Sequence, residues 1–482
     1  MIDLRPIGYV TGLLVAVLGL AMAVPLALDY SDGSANWGAF LEAGFLTVSA
    51  GLMTALACQS GTPRPLTLRQ SFLLTSLIWA ALPFFGALPF IIGAPHASFT
   101  DAYFEAMSGL TTTGTTAFPD LDDLPRGVNL WRGILQWLGG LGIVIVAMVF
   151  LPVMKVGGMQ FFKSEGFDTL GKVLPRALDI SMAMIRIYVG LTIACMLAYL
   201  AVGMVPFDAV VHSLTTMSTG GFSSTDESFS IYSGAPEYVA SVFMILAALP
   251  FIRFVQLTQG HGTPLWRDVQ VRAFLRWLAY AIAAIVAYRM FRHEADFLPT
   301  LREVTFNVVS TFTGTGYASE DVTKWGHFSF VVLIITGLIG GCTGSTGCSI
   351  KVFRYLILFE AVKTQIRRLY APHRVISVQL GGRPVDEEVV NSVIAFFSFF
   401  ILGFGLLIVG LSLAGLSTQT ALTGAWTAIA NVGPAWGPEV APSGAINQFP
   451  DSAKWMMTAG MFVGRLEMMT VLVLVLPRFW RG

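Results

Sequence analysis

The chain has 482 residues, 55% of them hydrophobic and only 12% charged, and its 29 basic and 29 acidic side chains cancel to a net charge of zero. Soluble domains carry about a quarter charged residues, so this composition excludes an ordinary soluble protein. The absence of net positive charge gives no bulk attraction to nucleic acid, and four cysteines in so apolar a chain do not form a disulfide framework.

The first apolar run, 7–28, follows Arg5 and contains Ala21-Met22-Ala23, which resembles a secretion signal. It is longer than the roughly 7–15 apolar residues of a signal core and reads as a retained helix. A second span follows at 38–58. Beyond it a three-part unit recurs, in which a span is followed by a short segment and a second span. The units are predicted at 69–92, 99–113 and 131–154; 179–204, 206–219 and 236–258; 272–292, 298–315 and 327–350; and 390–415, 418–432 and 453–477. The chain divides accordingly into 1–62, 63–165, 166–265, 266–383 and 384–482. The longer runs approach or exceed the roughly 20 apolar residues that cross a bilayer. The short ones cannot cross. Irregular backbone at membrane depth survives only buried in protein or lining water, so the four short segments are expected to converge on one axis. The predicted fold is an all-α polytopic membrane protein with two N-terminal helices and four helix–pore-loop–helix repeats around one pseudo-fourfold pore.

Charge placement orients this scheme. Arg64, Arg69, Lys155, Lys163, Lys172, Arg176, Arg253, Arg267, Arg272, the basic stretch from Lys351 through Arg374 to Arg383, and Arg478 and Arg481 fall on one side. Asp29, Asp32, Asp101, Glu105, Asp120, Asp122, Asp123, Asp208, Asp226, Glu227, Glu320, Asp321 and Glu439 fall on the other, with fewer basic residues. The positive-inside rule then puts both termini in the cytoplasm and the short segments outside. An acidic outer mouth concentrates cations, although any single acid there is equally an ordinary solvated loop residue.

Each short segment ends in small polar residues and glycine, about a hundred residues from the next. The candidate ligands are Thr112, Thr113 and Gly114; Ser218, Thr219 and Gly220; Gly314, Thr315 and Gly316; and Asn431, Val432 and Gly433. Phe104 and Ser108 precede Gly114 at the distances by which Phe306 and Ser310 precede Gly316, which favours Gly316 over Gly314. A dehydrated alkali cation needs several oxygens, and backbone carbonyls supply them without net charge. Glycine admits the backbone conformations that turn carbonyls inward, and a short helix aimed at the axis presents its negative C-terminal end to the cation.

The span at 327–350 is interrupted by Gly340, Gly341, Cys342, Thr343, Gly344, Ser345, Thr346 and Gly347, a run that cannot hold a helix. Its freed backbone groups must be buried or wetted, unless the small residues serve a close helix contact. Cys342 and Cys348 read as small fillers. Arg465 lies inside an apolar span, and an ionisable group at that depth faces water or a partner. Glu467 is two residues away, and i and i+2 do not face each other on a helix. The six histidines, His96, His212, His261, His293, His327 and His373, form no ligand-spaced cluster, so an intramembrane enzyme is not expected. A non-conducting scaffold would carry no current at all.

Several stretches together carry a family resemblance: Gln136-Trp137-Leu138-Gly139-Gly140-Leu141-Gly142, Ser218-Thr219-Gly220-Gly221-Phe222, Thr315-Gly316-Tyr317, Gly340 to Gly347 followed by Ile350-Lys351, and Gly464-Arg465-Leu466-Glu467. The chain resembles the Trk/Ktr/HKT superfamily of potassium transporters, closest to the bacterial TrkH/TrkG pore subunit. The resemblance implies potassium uptake across the bacterial inner membrane through a gated, channel-like pore, with Gly114, Gly220, Gly316 and Gly433 lining a selectivity filter. A serine at the first glycine goes with sodium permeation in some plant relatives, so Gly114 favours potassium. A sodium-permeable or sodium- or proton-coupled transporter of the same fold is the alternative. The resemblance also implies that the 340–347 loop gates conduction and that Arg465, with Lys351, places charge in the pore. It further implies a homodimer in lipid and a cytoplasmic, nucleotide-binding regulatory ring of the TrkA type docked on the basic 351–383 stretch. Potassium is the substrate. No organic cofactor is expected, because the chain has no phosphate-binding glycine motif.

Overall fold

The computed structural model describes residues 3–59, 66–149, 177–293, 296–371, 373, 376–466 and 468–481. Arg64, Lys155, Lys163, Lys172, Arg176, Arg374 and Glu467 lie outside the described residues. Two N-terminal helical stretches, Arg5–Ala21 continuing as Ala23–Ser31, and Trp37–Cys58, pack tightly side by side. Their backbones nearly touch at two glycines. A Cβ on Gly12 would sit 2.6 Å from the Ala55 nitrogen, and one on Gly51 would sit 2.5 Å from that of Ala16. Such contact suits lipid, where dispersion rather than hydrophobic burial joins helices.

Four units follow. The first has Leu68–Gly86 with Leu88–Ile92, then the short helix Phe99–Leu110, then Arg126–Val149. The second has Ala177–Ala201, the short helix Pro206–Met217, and Ala235–Ala248 with Phe251–Thr258. The third has Val269–His293, the short helix Phe297–Thr313, and His327–Ile339, with helix resuming at Val352–Tyr370. The fourth has Glu387–Leu413, the short helix Thr418–Ala430, and Asp451–Arg465 with Met468–Val475. Among the described residues six helices are long and apolar enough to cross a membrane, and up to eight if each bent pair counts as one span. Leu402, Leu406 and Leu413 on the outer helix of unit four are exposed, as lipid-facing residues should be.

The short helices begin on local signals. The Ser98 hydroxyl accepts from the Asp101 N–H at 3.1 Å, and Ser417 caps the fourth through the Thr420 N–H at 3.4 Å. Pro206 opens the second, where its missing N–H is not needed.

Two predicted spans differ in the structure. The 236–258 span is not continuous: it breaks at Leu249-Pro250, and the two parts are bent by 94°. Proline cannot donate to the helical ladder. The 453–477 span breaks after Arg465, and the following helix departs by 108°. The predicted interruption of 327–350 begins where the helix stops at Ile339. Second helices are therefore broken in units two, three and four.

Candidate functional site

The four short helices end at one place, and each turns in the same way. Thr112, Thr219, Gly314 and Asn431 all take left-handed backbone, with φ of 52°, 51°, 79° and 52°. The next residue donates its N–H five positions back in each case: Thr113 to Ser108 O, Gly220 to Thr215 O, Thr315 to Ser310 O, and Val432 to Thr427 O. The residue after that is a glycine at positive φ: Gly114 (89°), Gly221 (74°), Gly316 (85°) and Gly433 (114°). This hydrogen-bond register shifts the repeat-two alignment by one residue. Thr219-Gly220-Gly221, and not Ser218-Thr219-Gly220, matches Thr112-Thr113-Gly114. Gly316 occupies the slot of Gly114, and Gly314 that of Thr112. The doubled glycine at 220–221 leaves this choice open in sequence, and the hydrogen bonds decide it.

These loops touch in a closed cycle. A Cβ added to Gly114 would collide with the carbonyl oxygen of Gly220, one on Gly221 with that of Thr315, and one on Gly316 with that of Val432. One on Gly433 would sit 2.9 Å from the Thr113 oxygen. The ring closes from unit one through four and back to one, and only glycine fits at each seam. Side chains bridge the seams as well. Thr115 Oγ1 donates to Gly433 O at 2.6 Å, Asn431 Nδ2 donates to Thr113 Oγ1 at 2.8 Å, and the Tyr317 hydroxyl meets Thr216 Oγ1 at 3.2 Å.

Three of the four short helices are also tied, from one equivalent position, to the strand that leaves the loop. Glu105, His212 and Asn307 stand three residues before the acceptors Ser108, Thr215 and Ser310. Glu105 accepts from the Ala117 N–H at 2.8 Å, His212 Nε2 meets Ser223 Oγ at 3.3 Å, and Asn307 Nδ2 donates to Ser319 Oγ at 2.9 Å. His212 is thus buried and paired within the scaffold.

Beneath the ring lies the 340–351 segment. Its residues 340–348 are buried, and broken helix ends satisfy its backbone. The Cys342 N–H donates to Ala248 O at 2.9 Å, the Thr346 N–H to Ala247 O at 3.2 Å, and the Phe251 N–H to Gly344 O at 2.9 Å. The Pro250 break therefore supplies partners that an unbroken helix would keep for itself. The Thr343 N–H donates to Gln270 Oε1 at 3.0 Å. The segment presses on the ring from below. A Cβ on Gly347 would be 3.2 Å from Thr313 O, Thr112 Oγ1 meets Cys348 Sγ at 3.5 Å, and Ser349 Oγ donates to Ala430 O at 3.0 Å.

Arg465 reaches this segment from the end of its helix. It is buried, its Nη1 contacts Thr346 O at 3.5 Å and the Cys348 sulfur, and its Nε and Nη2 have no hydrogen-bond partner among the described residues. Cys348 is therefore more than a small filler: its sulfur accepts from a guanidinium, while Cys342 is simply buried. Lys351 is buried where the segment rejoins helix, at φ 77°.

Several outer acids differ from expectation. Asp29 is fully buried and accepts from Asn36 Nδ2 and the Gly127 N–H, both at 2.7 Å. Glu105 is fully buried in a 2.7 Å ion pair with Arg132. These two brace the scaffold and do not face an outer mouth, whereas Asp120, Asp122, Asp123, Glu227, Glu320 and Asp321 are exposed. Sequence reading missed Arg132. The available signal was an arginine in the interior of an apolar helix, one unit-internal loop away from the glutamate of the short helix. Among the described residues no cluster of three or more His, Cys, Asp or Glu could hold a metal ion.

Comparison with known proteins agrees with this architecture. Residues 38–481 match the TrkH family, described as a cation transport protein. The chain is 41% identical to the Trk system potassium uptake protein TrkI of Halomonas elongata, over 99% of this chain and 97% of that protein. It is 35% identical to Trk system potassium uptake protein TrkH of Escherichia coli K12, over 99% of both. The crystal structure of the potassium transporter TrkH from Vibrio parahaemolyticus superposes with a TM-score of 0.92 at 31% identity, covering 100% of both chains. The chain therefore belongs to the TrkH family of cation transport proteins.

Proposed function

We propose that this chain takes up potassium across the bacterial inner membrane through a passage formed where the four glycine loops meet. The family is one of transporters, not enzymes. The carrying observation is the closed cycle in which the carbonyls of Thr113, Gly220, Thr315 and Val432 each abut the glycine of the preceding unit in the cycle. Four quasi-equivalent loops supply backbone oxygens around one axis, and the negative ends of four short helices point at it. The filter then comprises Thr112 to Gly114, Thr219 to Gly221, Gly314 to Gly316 and Asn431 to Gly433. The division into two leading helices and four units at 63–165, 166–265, 266–383 and 384–482 is part of the same reading.

The 340–351 segment is the gate, because it fills the space under Thr112, Thr313 and Ala430. Arg465 holds it and sets a positive charge where a cation leaving the filter would pass. Opening requires the segment to give up its bonds to Ala247 and Ala248. Both termini are cytoplasmic, and the basic 351–383 face is the surface for a nucleotide-binding partner of the TrkA type. The relatives are named for a Trk system, and a homodimer is the expected assembly. Purified protein in liposomes should pass potassium and rubidium in preference to sodium and lithium. Equal flux of all four ions, or none under any gradient with folded protein, would overturn this reading.

A further inference from the structure

The second helix of unit one, Arg126–Val149, holds the loop of unit two by its backbone. Gln136 Nε2 donates to Gly220 O at 2.6 Å, and Gln136 Oε1 accepts from the Phe222 N–H at 3.0 Å. One turn away on the same helix face, Arg132 Nη1 donates to Ser223 O at 2.8 Å while its Nε donates to Glu105 at 2.7 Å. The guanidinium also lies 4.2 Å over the Phe222 ring. Two side chains spaced i and i+4 therefore grip the unit-two strand at 220, 222 and 223. Both are fully or almost fully buried. The approach is close because the helix carries glycine where it passes the loop: a Cβ on Gly140 would lie 2.9 Å from Ser218 Cα. Among the described residues, no side chain on the other three second helices bonds the backbone of a glycine loop in this way.

We propose that Gln136 and Arg132 are specificity-determining positioning residues: they fix the unit-two strand against unit one and so set the position and ligand strength of the Gly220 carbonyl. This rests on the passage proposed above. A carbonyl oxygen has two lone pairs. Gln136 engages one and leaves the other, and among the described residues no side chain donates to the carbonyls of Thr113, Thr315 or Val432, so the unit-two oxygen is both the most tightly held and the most weakly donating of the four. A ring with one immobile member cannot contract around a smaller ion. Discrimination against sodium then depends on the clamp, whereas the existence of a passage does not.

The test is the ratio of potassium to sodium flux in liposomes for wild type, Gln136→Leu, Gln136→Glu and Arg132→Lys, with total potassium flux and thermal unfolding measured on the same preparations. Gln136→Leu removes both bonds, Gln136→Glu keeps the acceptor for Phe222, and Arg132→Lys keeps a cation beside Glu105 but loses the second arm. The ratio should fall about five- to tenfold for Gln136→Leu and less, in the same direction, for the other two, with potassium flux retained. A merely structural role would lower flux and stability and leave the ratio alone. An unchanged ratio in folded variants overturns the proposal. If Gln136→Leu does not fold, the near-isosteric Gln136→Glu and Arg132→Lys decide it. A wild type with no potassium preference overturns the proposed passage itself, and the clamp with it.

Discussion

Replacing Gly221 with alanine tests the ring at its tightest seam. Gly221 sits at φ 74°, and a Cβ there would run into the carbonyl oxygen of Thr315. Gly203 provides the control, because it has φ 90° with nothing within 4 Å of an added Cβ. Alanine at either position pays for left-handed backbone, about 1–2 kcal/mol. Only at Gly221 must a neighbouring carbonyl also move, and forcing an atom into packed structure costs roughly a further 1–3 kcal/mol. Gly221→Ala should therefore be more destabilised than Gly203→Ala in thermal unfolding of purified protein. It should also lose potassium preference in liposome flux, while Gly203→Ala keeps the wild-type preference. A folded Gly221→Ala protein with wild-type preference, no less stable than Gly203→Ala, would refute the cyclic arrangement of carbonyls. Gly220→Ala separates the two registers. Its Cβ meets the Gln136 amide instead of a neighbouring loop, so its effect should follow that of the Gln136 variants.

Other perturbations follow from the same geometry. Glu105→Ala leaves Arg132 buried without its counter-charge and should cost about 3–5 kcal/mol; thermal unfolding of Glu105→Ala, Arg132→Met and the double variant checks it, and the double variant should recover much of the loss. Removing the Arg465 charge with Arg465→Gln should raise potassium flux at least about tenfold, equivalent to about 1.4 kcal/mol of barrier; unchanged flux in a folded variant would count against a barrier there. The Thr420 hydroxyl, with Ser417, holds the Glu439 carboxyl below the usual carboxylate range. Because the folded-state value is depressed, this contribution is complete above the ordinary carboxylate pKa and is lost as pH falls through the lowered one. Unfolding temperature measured between about pH 3 and 7 should drop more steeply in wild type than in Glu439→Gln.

Much of this was legible before any coordinates. Apolar run length and turn residues are local properties, so the two leading helices, the four short segments and the interruption after Ile339 could be placed from sequence alone. The alignment of Phe104 and Ser108 with Phe306 and Ser310 fixed the equivalence of units one and three, because both keep the same spacing to glycine. The Pro250 break was harder to read. A proline within an apolar run either kinks a span or ends it, and the outcome depends on whether something nearby uses the freed carbonyls. Here Cys342 and Thr346, nearly a hundred residues away, use those of Ala248 and Ala247. The placement of Glu105 and Asp29 also escaped sequence reading. A carboxylate near a membrane surface looks the same whether it faces water or Arg132 and Asn36, and only the fold supplies the partner.

The sequence by itself determined that the chain lives in lipid, and it predicted a fourfold repeat with glycine at each short helix end, since hydropathy and backbone freedom are written residue by residue. Tertiary structure decided which of two adjacent glycines closes the second loop, where two further helices break, and which side chains hold the ring. Those choices rest on contacts between units far apart in the chain, where a one-residue shift changes which carbonyl meets which glycine.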